Sequence, residues 1–219
     1  MATFFDVRYK PKNYKNIQFI NAMDLSQVLF IHVPKCAGSA FNHIKGGSLF
    51  KKVHSMNYEH KAWDIIVKKG YTDYYKFAFV RNPYDRFVSL YFYFHQMQPN
   101  HWAYQYDRAV VETIQEYESF ESFCLGFDKF KFNKKFHFKN QTDWIANNDD
   151  IFVDFLGKVE SIETDLIRLC KILEVPQIDT KSKKNNSNHQ HYEKYYNDEL
   201  RKIVSKLYEK DFELLDYEA

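Results

Sequence analysis

Apolar residues cluster along this chain in short runs of strand length that alternate with stretches of helical period. Val28-Leu29-Phe30-Ile31-His32 is the first such run, stopped by Pro34, and the small residues Ala37, Gly38, Ser39 and Ala40 then lead into a helix start. A second unit begins at Lys76-Phe77-Ala78-Phe79-Val80. Its strand ends at Arg81, and Asn82-Pro83 opens a helix with Asn as N-cap and Pro in the first turn. Phe87, Leu90, Tyr91 and Phe94 follow i, i+3, i+4, i+7 spacing, which predicts that this face packs on the sheet.

Between the two units, His60 to Gly70 predicts a crossover helix, so the strands on either side run parallel with a right-handed connection. Residues 104–125 pattern as helix, whereas 126–150 are polar and aromatic without a period. Ile151 to Val159 predicts another strand, and Ile162, Leu166, Leu169 and Leu173 mark the helix after it, ended before Pro176. A Lys/Asn/Ser loop fills 177–190, and one or two helices follow through Leu207. Residues 1–24, weakly periodic, form a peripheral arm. The expected architecture is one α/β domain over 1–219, with a central, mainly parallel β-sheet flanked by helices. Its ligands should sit at the carboxyl ends of the strands.

Composition narrows the possible partners. The chain has 219 residues, 45% of them hydrophobic, enough for one sizeable core. Lys plus Arg number 31 against 29 Asp plus Glu, so the formal charge of +2 gives no global attraction for nucleic acid, and any basic site must be local. No apolar run approaches the roughly 18–20 residues that span a bilayer. Asp6, Arg8, Lys10, Lys12 and Lys15 interrupt the N-terminal region, leaving no signal-peptide core, and the expectation is a cytoplasmic protein. Cys36, Cys124 and Cys170 lie far apart with no C-x-x-C pair, which argues against a disulfide framework and a cysteine zinc site. His189 and His191 alternate on a polar loop without nearby Cys or paired carboxylates, and no metal is expected.

Two segments carry candidate chemistry. In Val33-Pro34-Lys35-Cys36-Ala37-Gly38-Ser39-Ala40, small side chains let the backbone wrap closely around an anion while the following helix presents unpaired N–H groups. Lys35 adds a mobile cation and Ser39 a hydroxyl donor. The competing reading is an ordinary strand-to-helix turn with a solvated lysine. Spacing excludes several phosphate-site chemistries. The position five after Gly38 is His43, and Lys45 is followed by Gly46, so no Walker loop is present; Asn42 stands where a cysteine phosphatase built on Cys36 needs Arg. No G-x-G-x-x-G or G-x-S-x-G occurs. In the second segment, Arg81 leaves a strand end with a bidentate fork, and Ser89 follows two helical turns on, about 10 Å along the axis. Either the two share one phosphate, or Arg81 pairs with Asp85 and Ser89 is a helix-face hydroxyl.

Taken together, these segments resemble the sulfotransferase superfamily, in particular the Golgi-type and bacterial carbohydrate sulfotransferases that use 3′-phosphoadenosine 5′-phosphosulfate (PAPS). The resemblance extends more loosely through Gln141-Thr142-Asp143-Trp144, Val153 to Glu160 and the loop from Asn186-Ser187 to Tyr195-Tyr196, covering roughly residues 28–217. It implies a P-loop-like, nucleotide-kinase-like fold. In that family the first loop holds the 5′-phosphosulfate, implying Pro34, Lys35, Cys36, Ala37, Gly38, Ser39 and Ala40. The second motif holds the 3′-phosphate, implying Arg81 and Ser89. Ala40 departs from the pattern, because many members carry a second hydroxyl there. The resemblance further implies transfer of a sulfuryl group to a hydroxyl, on a sugar or polysaccharide, with Lys35 neutralising the bridging oxygen and adenosine 3′,5′-bisphosphate (PAP) as product. A His base between the two motifs would take the acceptor's proton; His60 matches that position, with His54 as the alternative. The rival readings are a nucleotide kinase or other NTP-binding enzyme, and a PAP- or glycan-binding module that has lost transfer.

Overall fold

Four strands form one parallel sheet: β1 (Val28–Ile31), β2 (Lys51–Val53), β3 (Tyr75–Val80) and β6 (Phe155–Lys158), in the order β2-β1-β3-β6. Val28 faces Tyr75 and Ile31 faces Ala78 across the central pair, while Phe77 faces Phe155 on the far side of β3. These are relations within a computed structural model that describes residues 24–38, 51–53, 62–130, 136–176 and 189–219, with backbone alone at 51–53 and 129–130. Of the arm 1–24, only Asp24 lies among them.

The strand residues sort by the two-residue period of the pleat. Leu29, Ile31, Ala78 and Val80 pack on one face against Ala62 and Ile66 of the crossover helix α1 (Ala62–Lys68) and against Trp144 and Ile145. Val28, Phe30, Phe77 and Phe79 pack on the other against Leu166, Leu169 and Leu173. Burial on both faces explains why β1 and β3 read as continuous apolar runs. A third cluster gathers around helix α2 (Pro83–His95), where Phe87 contacts the rings of Phe120, Phe123, Phe127 and Phe138. Asn82 caps this helix, its Oδ1 accepting from the Tyr84 and Asp85 N–H groups.

Several elements differ from the expectation. β2 is a strand where none was predicted: a three-residue edge containing two lysines lacks the apolar signature of a buried strand. The helix expected over 104–125 is two, α3 (Tyr104–Gln115) and α4 (Phe120–Gly126), because Ser119 adopts an extended backbone and restarts the helix through a reciprocal capping box with Ser122. Thr142–Ile145 forms a single helical turn, α5. The strand expected over Ile151–Val159 divides: β5 (Asp150–Ile151) pairs antiparallel with β4 (Ala146–Asn147) across Asn148 and Asp149, whose φ values of 49° and 67° make a tight hairpin turn. β6 begins only at Phe155. After α6 (Ile162–Ile172), the chain closes with α7 (Asp198–Leu207) and α8 (Glu209–Leu214), the latter extending beyond the expected end. Among the described residues no helix is long and apolar enough to cross a membrane.

From β1 the chain moves outward to β2, then returns across β1 to β3. The carboxyl ends of β1 and β3 therefore flank the point where the winding reverses, the place where open parallel sheets bind ligands.

Candidate active site

The loop leaving β1 turns sharply after Val33, with the Cys36 N–H donating to the Val33 carbonyl at 3.3 Å. Lys35 and Ala37 hold positive φ, 64° and 58°, on either side of Cys36. Such a conformation costs a non-glycine residue about 1–3 kcal/mol, so the surrounding contacts must enforce it. Alternating backbone handedness is also the arrangement in which successive N–H groups line an anion-binding concavity. Gly38, which begins helical backbone, sits against the His32 ring: a Cβ there would come within 1.7 Å of His32 Nε2. Only glycine allows that approach.

Lys35 lies with its Nζ 4.1 Å from the centre of the Tyr93 ring. Burial, and then the positive charge of Arg81, lower its pKa to about 8, with Cys36 acting the other way. Two cations from separate strand ends thus share one field. Arg81 directs its Nε and Nη2 to the Asp85 carboxylate, at 2.7 and 2.8 Å, so the structural pairing considered from the sequence is present. Ser89 is buried at 1% exposure.

Cys36 is fully buried, its thiol donating to Gln141 Oε1 at 3.1 Å, and burial pushes its pKa up to about 12 despite the opposing charges of Arg86 and Arg81. It is a packed thiol, without the thiolate character a nucleophile needs. Gln141 also brackets Arg81, accepting from its N–H at 2.9 Å and donating to its carbonyl at 2.7 Å. One side chain thereby ties the β1 loop to the end of β3.

A second tie comes from Arg86, fully buried in α2. Its Nε donates to the Pro34 carbonyl at 3.1 Å and its Nη2 to the His137 carbonyl at 2.8 Å. The buried carboxylate of Asp211 lies in the Arg86 field and accepts from the N–H groups of Gln141 and Thr142 and from the Thr142 hydroxyl, at 2.8, 2.9 and 3.0 Å. Burial pushes the Asp211 carboxyl up, while Arg86 and these three hydrogen bonds pull it back. Glu160 accepts from the Asn82 N–H at 2.5 Å and from the Tyr217 hydroxyl at 3.1 Å, fixing the start of α2 to the segment after β6.

The structure therefore brings Pro34, Lys35, Cys36, Ala37, Gly38 and Arg81 to neighbouring strand ends. Ser39, Ala40, His54 and His60 lie outside the described residues. Sequence reasoning did not single out Arg86 and Asp211 as organisers of this region. Arg86 had a legible signal: with Leu90 and Phe94 it falls at i, i+4, i+8 on the apolar stripe of α2, where a charge needs a buried partner. Asp211 had none, because its partners at Gln141 and Thr142 are distant in sequence.

The sequence matches the model of the sulfotransferase family over residues 18–218, and the chain belongs to that family. Sulfuryl transfer is thus its general chemistry, and the parallel sheet with flanking helices agrees with that fold. No curated protein and no solved structure matches it.

Proposed function

We propose that this sulfotransferase-family chain uses PAPS as donor and transfers its sulfuryl group to a hydroxyl of a sugar or polysaccharide. The observation that carries the reading is the convergence of Lys35 and Arg81 at the carboxyl ends of β1 and β3, close enough that one depresses the pKa of the other. In the free protein Asp85 pairs with Arg81, and a nucleotide with phosphate at both ends would bring further negative charge between Arg81 and Lys35. The glycine-permitted loop, with its alternating φ, fits a phosphosulfate that must lie close to backbone.

PAPS supplies an activated sulfur and a phosphate leaving group. The protein's task is positioning and charge stabilisation. Lys35 neutralises the charge growing on the bridging oxygen, the backbone of residues 36–40 and the Ser39 hydroxyl hold the 5′ end, and Arg81 with Ser89 holds the 3′-phosphate. An oxygen acceptor must also lose its proton to a basic side chain beside it. Trp102 and Tyr106, 76% and 69% exposed beside the start of α3, support a carbohydrate acceptor, since exposed aromatic faces suit the apolar face of a sugar ring.

A thermal-shift titration with PAP against ATP–Mg²⁺, followed by a sulfate-transfer assay over a panel of acceptor saccharides, tests the reading. Stabilisation by PAP together with PAPS-dependent transfer in wild type and none in Lys35→Ala is expected. Preference for ATP–Mg²⁺ would favour a nucleotide kinase, and PAP binding without transfer a non-catalytic module.

A further inference from the structure

The Lys35 ammonium rests on Tyr93, and Tyr93 neighbours the ring of His137, with centroids 6.4 Å apart. His137 is fixed on two sides. Its carbonyl accepts from Arg86, the same guanidinium that holds Pro34, and its ring packs edge-on to Phe94 and Phe136 at 5.1 and 4.8 Å. The imidazole and the Lys35 loop therefore hang from one buried group. On α3, Asp107 places Oδ1 3.7 Å from His137 Nδ1. The carboxylate is nearly buried, whereas the His137 side chain keeps 20% exposure.

A carboxylate facing Nδ1 favours the tautomer with the proton on that nitrogen, which makes Nε2 the basic atom. We propose that His137, oriented by Asp107, is the catalytic residue that takes the acceptor hydroxyl's proton, in place of His60. The assignment rests on the sulfotransferase reading. The acceptor O–H bond breaks with its proton passing to Nε2, the oxygen forms a bond to sulfur, and the sulfur–oxygen bond to the phosphate breaks with its electron pair leaving on PAP. Asp107 is a positioning residue. Its 3.7 Å separation exceeds a hydrogen bond, and such contacts commonly tighten only in the substrate complex.

Among the described residues, the other ionisable groups around this pair include Tyr93 and Arg86 from α2, His101 ahead of α3, and Lys35 beside Tyr93. Burial pushes the Asp107 carboxyl up and His101 lowers it, while Tyr93 is pushed up to about 12 by burial and by Asp107. Replacing Asp107 by Asn removes the acid that faces the His137 ring, and should make the imidazole less basic.

The experiment compares His137→Asn, Asp107→Asn and His60→Ala for PAPS-dependent turnover, PAP thermal shift and, in wild type and Asp107→Asn, the NMR titration of His137. His137→Asn should lose on the order of 100-fold or more in kcat while keeping the PAP shift. Asp107→Asn should lose less, and should move both the acidic limb of kcat/KM and the His137 titration to lower pH. Near-normal turnover in His137→Asn, an unmoved titration in Asp107→Asn, or a large loss in His60→Ala alone overturns the assignment while leaving donor binding intact. Wild-type protein showing neither PAP shift nor transfer overturns the sulfotransferase reading and this assignment with it. If His137→Asn fails to melt cooperatively, His137→Gln and the two NMR titrations decide.

Discussion

Gln141 holds the peptide of Arg81 from both sides, its Oε1 accepting from the N–H and its Nε2 donating to the carbonyl. Because Oε1 also accepts from the Cys36 thiol, the β1 loop and the end of β3 share one amide. Gln141→Ala leaves those three groups without that partner. Each buried polar group so orphaned costs about 1–3 kcal/mol, against a typical shift of about 2–4 °C per kcal/mol in a domain of this size. The expected outcome is a melting temperature lower by several degrees and PAP affinity reduced at least about tenfold, read by calorimetry. A folded variant with unchanged affinity would detach the bracket from ligand binding.

Arg81 answers two partners at once. Its fork meets the Asp85 carboxylate through Nε and Nη2, a geometry that lysine cannot reproduce. Arg81→Ala should weaken PAP binding by at least about 1.5 kcal/mol, the loss of a charge-assisted bond, and Arg81→Lys should recover only part of it. Titration calorimetry distinguishes the three proteins. Full affinity in Arg81→Ala would remove this residue from the site.

A Cβ at position 38 overlaps the His32 ring, so Gly38→Ala must displace either the loop or the histidine. The sheet beneath stays packed through Leu29, Ile31, Ala78 and Val80, and the loss should fall on the ligand instead of the core. PAP stabilisation should disappear in Gly38→Ala and return in the double variant Gly38→Ala/His32→Ala, which reopens the space. Failure of the second substitution to restore binding would show that something other than this overlap matters.

The parts of the fold that were legible owe it to local signals. Val28–Ile31 and Phe77–Val80 carry the unbroken apolar runs of strands covered on both faces, and Asn82-Pro83 announces the start of α2 by capping chemistry alone. Arg81 was legible because it immediately follows such a run, and Lys35 because it follows the proline that stops the first one. What was not legible is tertiary. Lys51–Val53 is a strand through pairing with β1, and the hairpin turn at Asn148-Asp149 is hidden in a polar stretch with no period. Arg86 and Asp211 organise the site through partners more than fifty residues away in sequence, and no window of local pattern contains both ends.

That buried network makes its own prediction. Arg86 and Asp211 are both buried and lie in each other's field without a direct ion pair, so removing either charge leaves the other less compensated. Arg86→Met should therefore destabilise strongly and also release the Pro34 carbonyl, weakening PAP binding. Asp211→Leu should destabilise by a similar amount through the charge left on Arg86 and the freed N–H groups of Gln141 and Thr142. In the double variant the losses should sum to less than the two singles, because neither charge remains. Denaturant melts of the four proteins give the coupling; strict additivity would show that the two charges do not interact.

Lys35 offers a test by pH. In the free protein its pKa is lowered to about 8, chiefly by burial and next by Arg81, so near pH 8 the side chain is about half neutral. A phosphate placed beside it favours the ammonium and raises the pKa, and binding must then take up a proton. The phosphates of PAP titrate near pH 6 and are fully ionised at pH 8, leaving the uptake to the protein. Calorimetry of PAP binding in buffers of different ionisation enthalpy should show uptake of up to about half a proton at pH 8. Apparent affinity should fall as pH rises above 8, with a steepness approaching tenfold per unit until the raised pKa of the complex is reached. Lys35→Arg, whose guanidinium stays charged throughout, should show neither uptake nor this decline. Proton uptake of equal size in Lys35→Arg would place the titrating group elsewhere.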